Sequence, residues 1–261
     1  MYRKLNKKET EQAIIKIIDV LLDKTLPYSG KHRQGQWEKG WSQNLKEKNT
    51  VPHYFGKYKI NRLDGHFVEA ISMNYEKKML YSIVDKVAKG YLKQVDNIYE
   101  FGCGTGHNIA RIAKINRHAL LYGLDWTKSS IELLRLKGIT GYLFDFFKPN
   151  YKVELKENSG IYTVAALEQT GTNYKKFVSY LLKNKPKVCV HIEPIAELLD
   201  STILMDYLSI KYFEKRKYLS GFLTYLKKLE KEKKILIHEA SRNHIGSLFI
   251  EGYSVVVWSP L

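Results

Sequence analysis

The chain has 261 residues, a formal net charge of +16 and 44% hydrophobic residues, enough for one α/β domain with an N-terminal extension. No apolar run approaches the length of a membrane span, the N-terminus leads into a polar segment rather than an apolar signal core, and the two cysteines, Cys103 and Cys189, make no disulfide framework. A reducing cytoplasm is the expected setting. The basic charge raises nucleic acid as a partner, but lysine is scattered over the whole chain. Its densest run, 227–234, mixes acids with bases as the solvated end of a helix does, which argues against a dedicated nucleic-acid surface.

Residues 7–24 carry Ile14, Ile15, Ile17, Ile18, Leu21 and Leu22 at helical spacing, and Pro27 ends that helix. Residues 28–41 show no clean periodicity and little aliphatic content, yet they hold Trp37 and Trp41. Two readings compete: tryptophans pinning a loop to the core, or a lid whose Tyr28, His32, Arg33, Gln36, Trp37 and Trp41 face a substrate. A mixed segment, 53–66, precedes a helical stretch over 67–89. No Pro/Gly linker follows, so residues 1–90 are expected to form a helical cap or lid on the same domain, whose core is 91–261.

From there strands and helices alternate. Strands are expected at 97–101, 119–124, 141–144, 161–166 and 187–192, ending at Asp125, Asp145, Glu168 and Glu193 after the second to fifth. Helices are expected at 106–115, 129–137 and 174–183. Two more, 198–215 and 220–233, precede strands at 235–238 and 253–258. The last two strands have no helix between them and fit an antiparallel pair. This order gives an α/β parallel sheet with helices on both faces.

The run Glu100-Phe101-Gly102-Cys103-Gly104-Thr105-Gly106-His107-Asn108 closes the first of these strands. Glycine allows positive φ and close backbone approach, and the helix start behind it offers free N–H groups. The dinucleotide fingerprint G-x-G-x-x-G would place its third glycine at His107, one residue later than Gly106. Glu100 would repel a phosphate and attract an ammonium. The stretch therefore resembles the first motif of the Rossmann-like, class I S-adenosyl-L-methionine-dependent methyltransferases. That resemblance implies a seven-stranded, mostly parallel, doubly wound sheet with an antiparallel last strand. It places Glu100, Gly102, Cys103, Gly104, Asn108 and Leu167 around S-adenosyl-L-methionine. Asp125 would hold the ribose hydroxyls, Trp126 would lie on the adenine, Asp145 would take its amino group and Phe146 would pack on its ring.

At the methyl end stand Glu168 and Gln169. The Pro-Pro-aromatic motif of adenine methylation, the Pro-Cys nucleophile of cytosine C5 methylation and the Lys-Asp-Lys-Glu set of ribose 2′-O methylation are not found there. Strand alternation puts His191 and Glu193 on one face, near Glu168 and Gln169. His191 is the expected general base, with Glu168 or Glu193 orienting it or binding acceptor hydroxyls. The competing readings are a structural tie of the strand to the helices after it, or a divalent cation on Glu168, His191 and Glu193. Tyr207, Tyr212, Tyr218, Tyr225 and Arg216 either wall the acceptor pocket or pack a helix core. The expected acceptor is a small, polar, anionic or sugar-like molecule, by analogy one used in surface polysaccharide biosynthesis, methylated on oxygen or nitrogen. RNA or protein methylation is the alternative, and a non-catalytic scaffold ranks below both. Oligomeric state is not legible.

Overall fold

The computed structural model describes residues 2–72 and 74–261. Strand β1 (Tyr2–Lys4) leads into helix α1 (Lys7–Leu22). α1 starts there because Asn6 and Glu9 cap it reciprocally: Asn6 Oδ1 accepts the Glu9 N–H at 2.9 Å, and the Glu9 carboxylate accepts the Asn6 N–H at 2.8 Å. The segment without clean periodicity is largely a helix, α2 (Gln34–Lys46). Where a helix is expected from residue 67, the chain instead forms a hairpin of β2 (Ile60–Leu63) and β3 (His66–Ala70), and α3 (Tyr75–Val87) begins later. The cause is Asp64-Gly65, a two-residue turn with φ of 48° and 74°, the pairing that joins twisted antiparallel strands.

The cap is therefore not purely helical. β1, β3 and β2 form an antiparallel sheet with β10 (Ile245–Ser247), so the far end of the chain completes it. Arg62 fastens this sheet to the body. Its buried guanidinium donates to the carbonyls of Leu248, Phe249 and Met205 and to Ser209 Oγ, and burial pushes its pKa down to about 10. Buried charge is tolerated when it is hydrogen-bonded, and here each of the three guanidinium nitrogens finds a partner.

The main sheet comprises β4 (Asn97–Phe101), β5 (Leu120–Asp125), β6 (Thr140–Leu143), β7 (Ser159–Val164), β8 (Val188–Glu193), β9 (Ile235–Ser241) and β11 (Ser254–Pro260), in the order β6-β5-β4-β7-β8-β11-β9. All of its pairings are parallel except those of β11, which runs antiparallel to β8 and β9. Helices α4 (His107–Ile112), α5 (Lys128–Arg135), α6 (Lys175–Asn184), α7 (Leu204–Arg216) and α8 (Phe222–Lys231) follow the strands. One face buries Tyr99, Phe101 and Ile161 with Phe177 and Leu226; the other buries Ile98, Tyr162 and Val190 with Val84 and Ile109. This is the layered arrangement that two-sided burial of parallel strands requires. It leaves the carboxyl ends of β4, β5, β7 and β8 facing the cap.

Candidate functional site

An aromatic slot of about 500 Å³, open mouth included, lies across the carboxyl ends of β4, β5 and β7. Trp126, Phe144, Phe146 and Phe147 form one wall, with Trp126 and Phe147 stacked at 6.1 Å and 17°. Trp37 and Trp41 of α2 lie opposite, stacked on each other at 5.4 Å. Asp125 and Gly102 line it, and Ala165, Ala166 and Gln169 line its β7 end.

Two glycines have definite work. Gly102 has φ of 74°, and a Cβ there would meet the Ala166 side chain at 2.3 Å, so only glycine lets β4 turn against the end of β7. A Cβ on Gly104 would meet Trp41 at 2.9 Å. The indole thus rests directly on the glycine loop. Trp37 and Trp41, expected among the acceptor-binding residues, line the slot beside the glycine loop.

Asp125 is buried in the slot wall. It accepts the Gly104 N–H at 3.0 Å, the Thr127 N–H at 3.0 Å and the Thr127 hydroxyl at 2.6 Å. Burial pushes its pKa up. A carboxylate offers about four acceptor positions, so about one remains for a ligand hydroxyl rather than two.

Four expected cofactor residues stand behind the slot rather than in its lining. Glu100 takes Asn108 Nδ2 at 3.0 Å and the Tyr162 hydroxyl at 2.9 Å, and burial pushes its pKa up to about 8. It braces strand to helix, and with both oxygens engaged it does not reach for an ammonium. Asn108 is its partner. Cys103 packs in the core beside Ile109, and the Leu167 side chain is buried in the opposite core. Asp145 also departs from its expected place. One oxygen accepts the Phe147 N–H at 2.8 Å and the other lies 4.0 Å from Lys31 Nζ of the cap. Phe144 and Phe147 line the slot without having been expected there. The Phe144-Asp145-Phe146-Phe147 run carried that signal.

Glu38 is a second omission. Its carboxylate accepts the N–H groups of Lys128 and Ser129 at 2.7 and 3.1 Å and the Ser129 hydroxyl at 2.5 Å. It thereby caps α5 from across the slot, where free N–H groups and the helix dipole favour an acid. Gln34 Nε2 donates to the Trp126 carbonyl at 2.8 Å. These contacts hold α2 down as a lid. Of the other expected lid residues, Tyr28, His32 and Gln36 are exposed, with Tyr28 and His32 packed on each other, and only Arg33 turns inward.

At the far end the chain leaves β7 through a tight turn. Ala165 has φ of 47°, sparsely populated for a residue bearing Cβ. Glu193 holds the turn: its two oxygens accept the N–H groups of Ala166, Leu167 and Glu168 at 3.1, 3.0 and 3.1 Å. Burial pushes Glu193 up to about 7.

His191 is fully buried, 3.0 Å from Thr163 Oγ1 through Nδ1, while Nε2 accepts the Trp258 indole N–H at 3.0 Å. The indole can only donate, so Nε2 is the acceptor and Nδ1 carries the proton toward Thr163. Burial pushes its pKa down to about 3. His191 is thus a neutral core histidine with both nitrogens occupied. It is placed neither to take an acceptor's proton nor to bind a cation; its hydrogen bonds tie β8 to its neighbours β7 and β11 rather than to the helices after it. Among the described residues no group of three or more His, Cys, Asp or Glu side chains is arranged to hold a metal ion.

Glu168 lies in the turn that Glu193 holds, beside Gln169 of the slot lining. It is 8% exposed, accepts Gln169 Nε2 at 2.9 Å, and is pushed up to about 8 by burial and then by the Glu193 charge. Arg216, Tyr218 and Tyr212 stand within electrostatic reach of it.

No protein-family model matches the chain, and no curated protein is similar to it. Solved structures share its fold. The N-methyltransferase NodS from Bradyrhizobium japonicum WM9, in complex with S-adenosyl-L-homocysteine, is 14% identical, with a TM-score of 0.52 over 85% of this chain and 98% of that one. An O-methyltransferase family protein from Burkholderia thailandensis is 8% identical, with a TM-score of 0.56 over 97% of this chain and 70% of that one. The plantazolicin methyltransferase BpumL, in complex with a monoazolic desmethylPZN analog and S-adenosyl-L-homocysteine, is 12% identical, with a TM-score of 0.50 over 95% and 98%. The chain has the class I methyltransferase fold, and no helix among its described residues is long and apolar enough to cross a membrane.

Proposed function

We propose that this protein is an S-adenosyl-L-methionine-dependent methyltransferase acting on an oxygen or nitrogen of a small polar acceptor. The observation that carries the reading is the slot itself: a flat aromatic cleft at the carboxyl ends of β4, β5 and β7, with one buried carboxylate, Asp125, in its wall. Such a cleft suits a planar base and a sugar hydroxyl, and open α/β sheets bind ligands at this edge. The buried indole N–H of Trp37 and the carbonyl oxygen of Gln169 have no partner within the protein, which fits groups that meet a ligand.

In this reading Trp126, Phe146 and Phe147 would hold the adenine, Asp125 would hold a ribose hydroxyl, and the glycine loop would hold the amino-acid part. The cofactor would supply an electrophilic methyl on sulfonium. The protein's own task is to place the acceptor in line behind that methyl and to exclude water. Glu193 fixes the 166–168 turn, which fixes Glu168 and Gln169. Glu168, with its pKa near 8, takes the acceptor's proton when the acceptor is a hydroxyl or an ammonium. Trp41 covers Gly104, so α2 shifts as the nucleotide enters.

The net charge of +16 supports a second reading, an RNA or protein acceptor. The cover that α2 forms over the slot favours the small molecule, and a role in surface polysaccharide synthesis rests on analogy alone.

Calorimetric titration with S-adenosyl-L-homocysteine tests the reading, with tryptophan fluorescence reporting Trp37, Trp41 and Trp126 in parallel. Binding is expected, and Asp125→Ala should weaken it roughly 10- to 100-fold, the worth of a hydrogen bond to a charged group. A folded protein that does not bind S-adenosyl-L-homocysteine would remove the reading.

A further inference from the structure

Beyond the slot, two arginines from distant parts of the chain meet. Arg33 closes the short turn Lys31–Arg33 ahead of α2, and Arg216 is the last residue of α7. Ser29 N–H donates to the Arg216 carbonyl at 2.8 Å, which ties the two segments together. Arg33 is only 7% exposed. Its Nε and Nη1 are buried without any hydrogen-bond partner, and so is the Nε of Arg216. The remaining contacts of Arg216 are neutral: Nη1 donates to the Tyr212 hydroxyl at 3.0 Å, and the guanidinium lies 5.1 Å from the Tyr218 ring centre.

A buried guanidinium with unpaired N–H groups is costly, and the like charge of half-buried Arg216 within electrostatic reach adds to the cost. Arg62 shows the ordinary solution in this same protein, with its buried donors met by carbonyls and a hydroxyl. Arg33 and Arg216 lack that solution. Burial, and next the Arg216 charge, push the Arg33 pKa down. The acid within electrostatic reach is Glu168, on the Arg216 side, and its own pKa is pushed up to about 8 by burial and then by the Glu193 charge. The pair thus has the form of a receptor lacking its counter-charge.

We infer that Arg33 and Arg216 receive an oxyanion carried by the acceptor, a carboxylate or a phosphate, and so orient it with its nucleophilic atom toward Glu168 and Gln169. This deepens the methyltransferase reading and rests on it for the word acceptor. Guanidinium forks match carboxylate and phosphate oxygens in geometry as well as charge. The phenols of Tyr212 and Tyr218 complete a wall that excludes water and strengthens the attraction. The substrate class narrows accordingly: an acid bearing a hydroxyl or amine within a small molecule's length of the anion, rather than a neutral sugar.

The probes are inorganic phosphate and succinate, added at millimolar concentration and matched ionic strength against chloride, below the range in which such salts act by surface exclusion. The wild-type midpoint of thermal unfolding should rise by a few degrees with at least one of them; which one identifies the anion as phosphate or carboxylate. The rise should be absent in Arg33→Met and Arg216→Met and reduced in Arg33→Lys. Without added anion, Arg33→Met should melt at or above the wild-type temperature, because a like-charge contact is relieved; a merely structural arginine would show a fall. S-adenosyl-L-homocysteine affinity should stay within about twofold in all variants. A wild type that binds S-adenosyl-L-homocysteine but gains no stability from either anion overturns the inference while leaving the methyltransferase reading standing. So does a rise that persists in both Met variants, or an Arg33→Met that is destabilised. Loss of S-adenosyl-L-homocysteine binding in the wild type, with the anion response intact, would instead remove the methyltransferase reading alone.

Discussion

Asp125 and Glu168 are both buried carboxylates at strand ends, and the regions around them are built on different plans. Asp125 is satisfied by near neighbours in the chain: Gly104 from the loop before it and Thr127 two residues on. Little is left open, and the slot around it is rigid aromatic wall. Glu168 stands within electrostatic reach of Arg216, Tyr212 and Tyr218, from α7 and the residues just after it. Its one side-chain hydrogen bond is to the adjacent Gln169. The unpartnered buried atoms of Arg33 and Arg216 lie on this side, and those of Trp37 and Gln169 line the slot. A site for a fixed ligand can spend its local hydrogen bonds on preorganisation. A site for a specific acceptor keeps donors and acceptors free, because discrimination comes from groups that only the right molecule satisfies.

The largest expected effect separates the two ends directly. Glu168→Gln keeps the size and the contact with Gln169 but removes the proton acceptor. Turnover should fall roughly 10²- to 10⁴-fold if the acceptor must lose a proton in the transition state. S-adenosyl-L-homocysteine affinity should be unchanged. Single-turnover kinetics beside calorimetry check this. Equal losses in turnover and nucleotide affinity would mean that the Glu168 end and the slot are one unit rather than two.

The same division explains what could be read from the chain. The strand order, the glycine loop and Asp125 are legible because each depends on residues close in sequence: alternating apolar runs, glycines at fixed spacing, an acid at a strand end. The hairpin at 60–70 was legible too, through Asp64-Gly65, but the apolar residues after it resemble a helix start. The Glu168 end is not legible. Arg33 and Arg216 are far apart in the chain, and nothing local distinguishes Arg33, which is buried, from Lys31 and His32, which are exposed. His191 failed for a different reason. Alternation placed it correctly on the Glu193 face, but β11 closes over that strand and brings Trp258 onto its ring. Glu168, a single turn outside the sheet, stays in the cleft.

That contrast gives the second test. His191→Phe should leave turnover and its pH profile as they are. It should destabilise the fold by about 1–3 kcal/mol, since the Trp258 indole N–H and the Thr163 hydroxyl each lose a buried partner. Chemical denaturation with an unchanged m-value would report this as stability alone. A turnover loss in His191→Phe that is largest at high pH and disappears at low pH, where an imidazole would be protonated, would return the base role to His191.

The smallest effect is the most diagnostic, because stability and activity should move in opposite directions. Glu168 and Glu100, at about 8, and Glu193, at about 7, all have folded-state pKa values raised above the ordinary 4.5. A raised pKa means that the folded protein holds a proton that the unfolded chain has released. The stability contribution is therefore fully present below about 4.5 and is lost as pH rises through 7 to 8. His191 and His107, both pushed down to about 3, act in the opposite sense, but their contribution changes only below the ordinary histidine value of 6.5. Between about pH 6.5 and 8, of these groups only the carboxylates change, so the unfolding midpoint should fall. Over the same interval kcat/KM should rise, because Glu168 becomes able to accept a proton. In Glu168→Gln the fall in midpoint should be shallower and the rise in kcat/KM should vanish together. If only the stability slope changes, Glu168 is a buried acid and not the base. If neither changes, its carboxyl titrates in the folded protein as it does in the open chain.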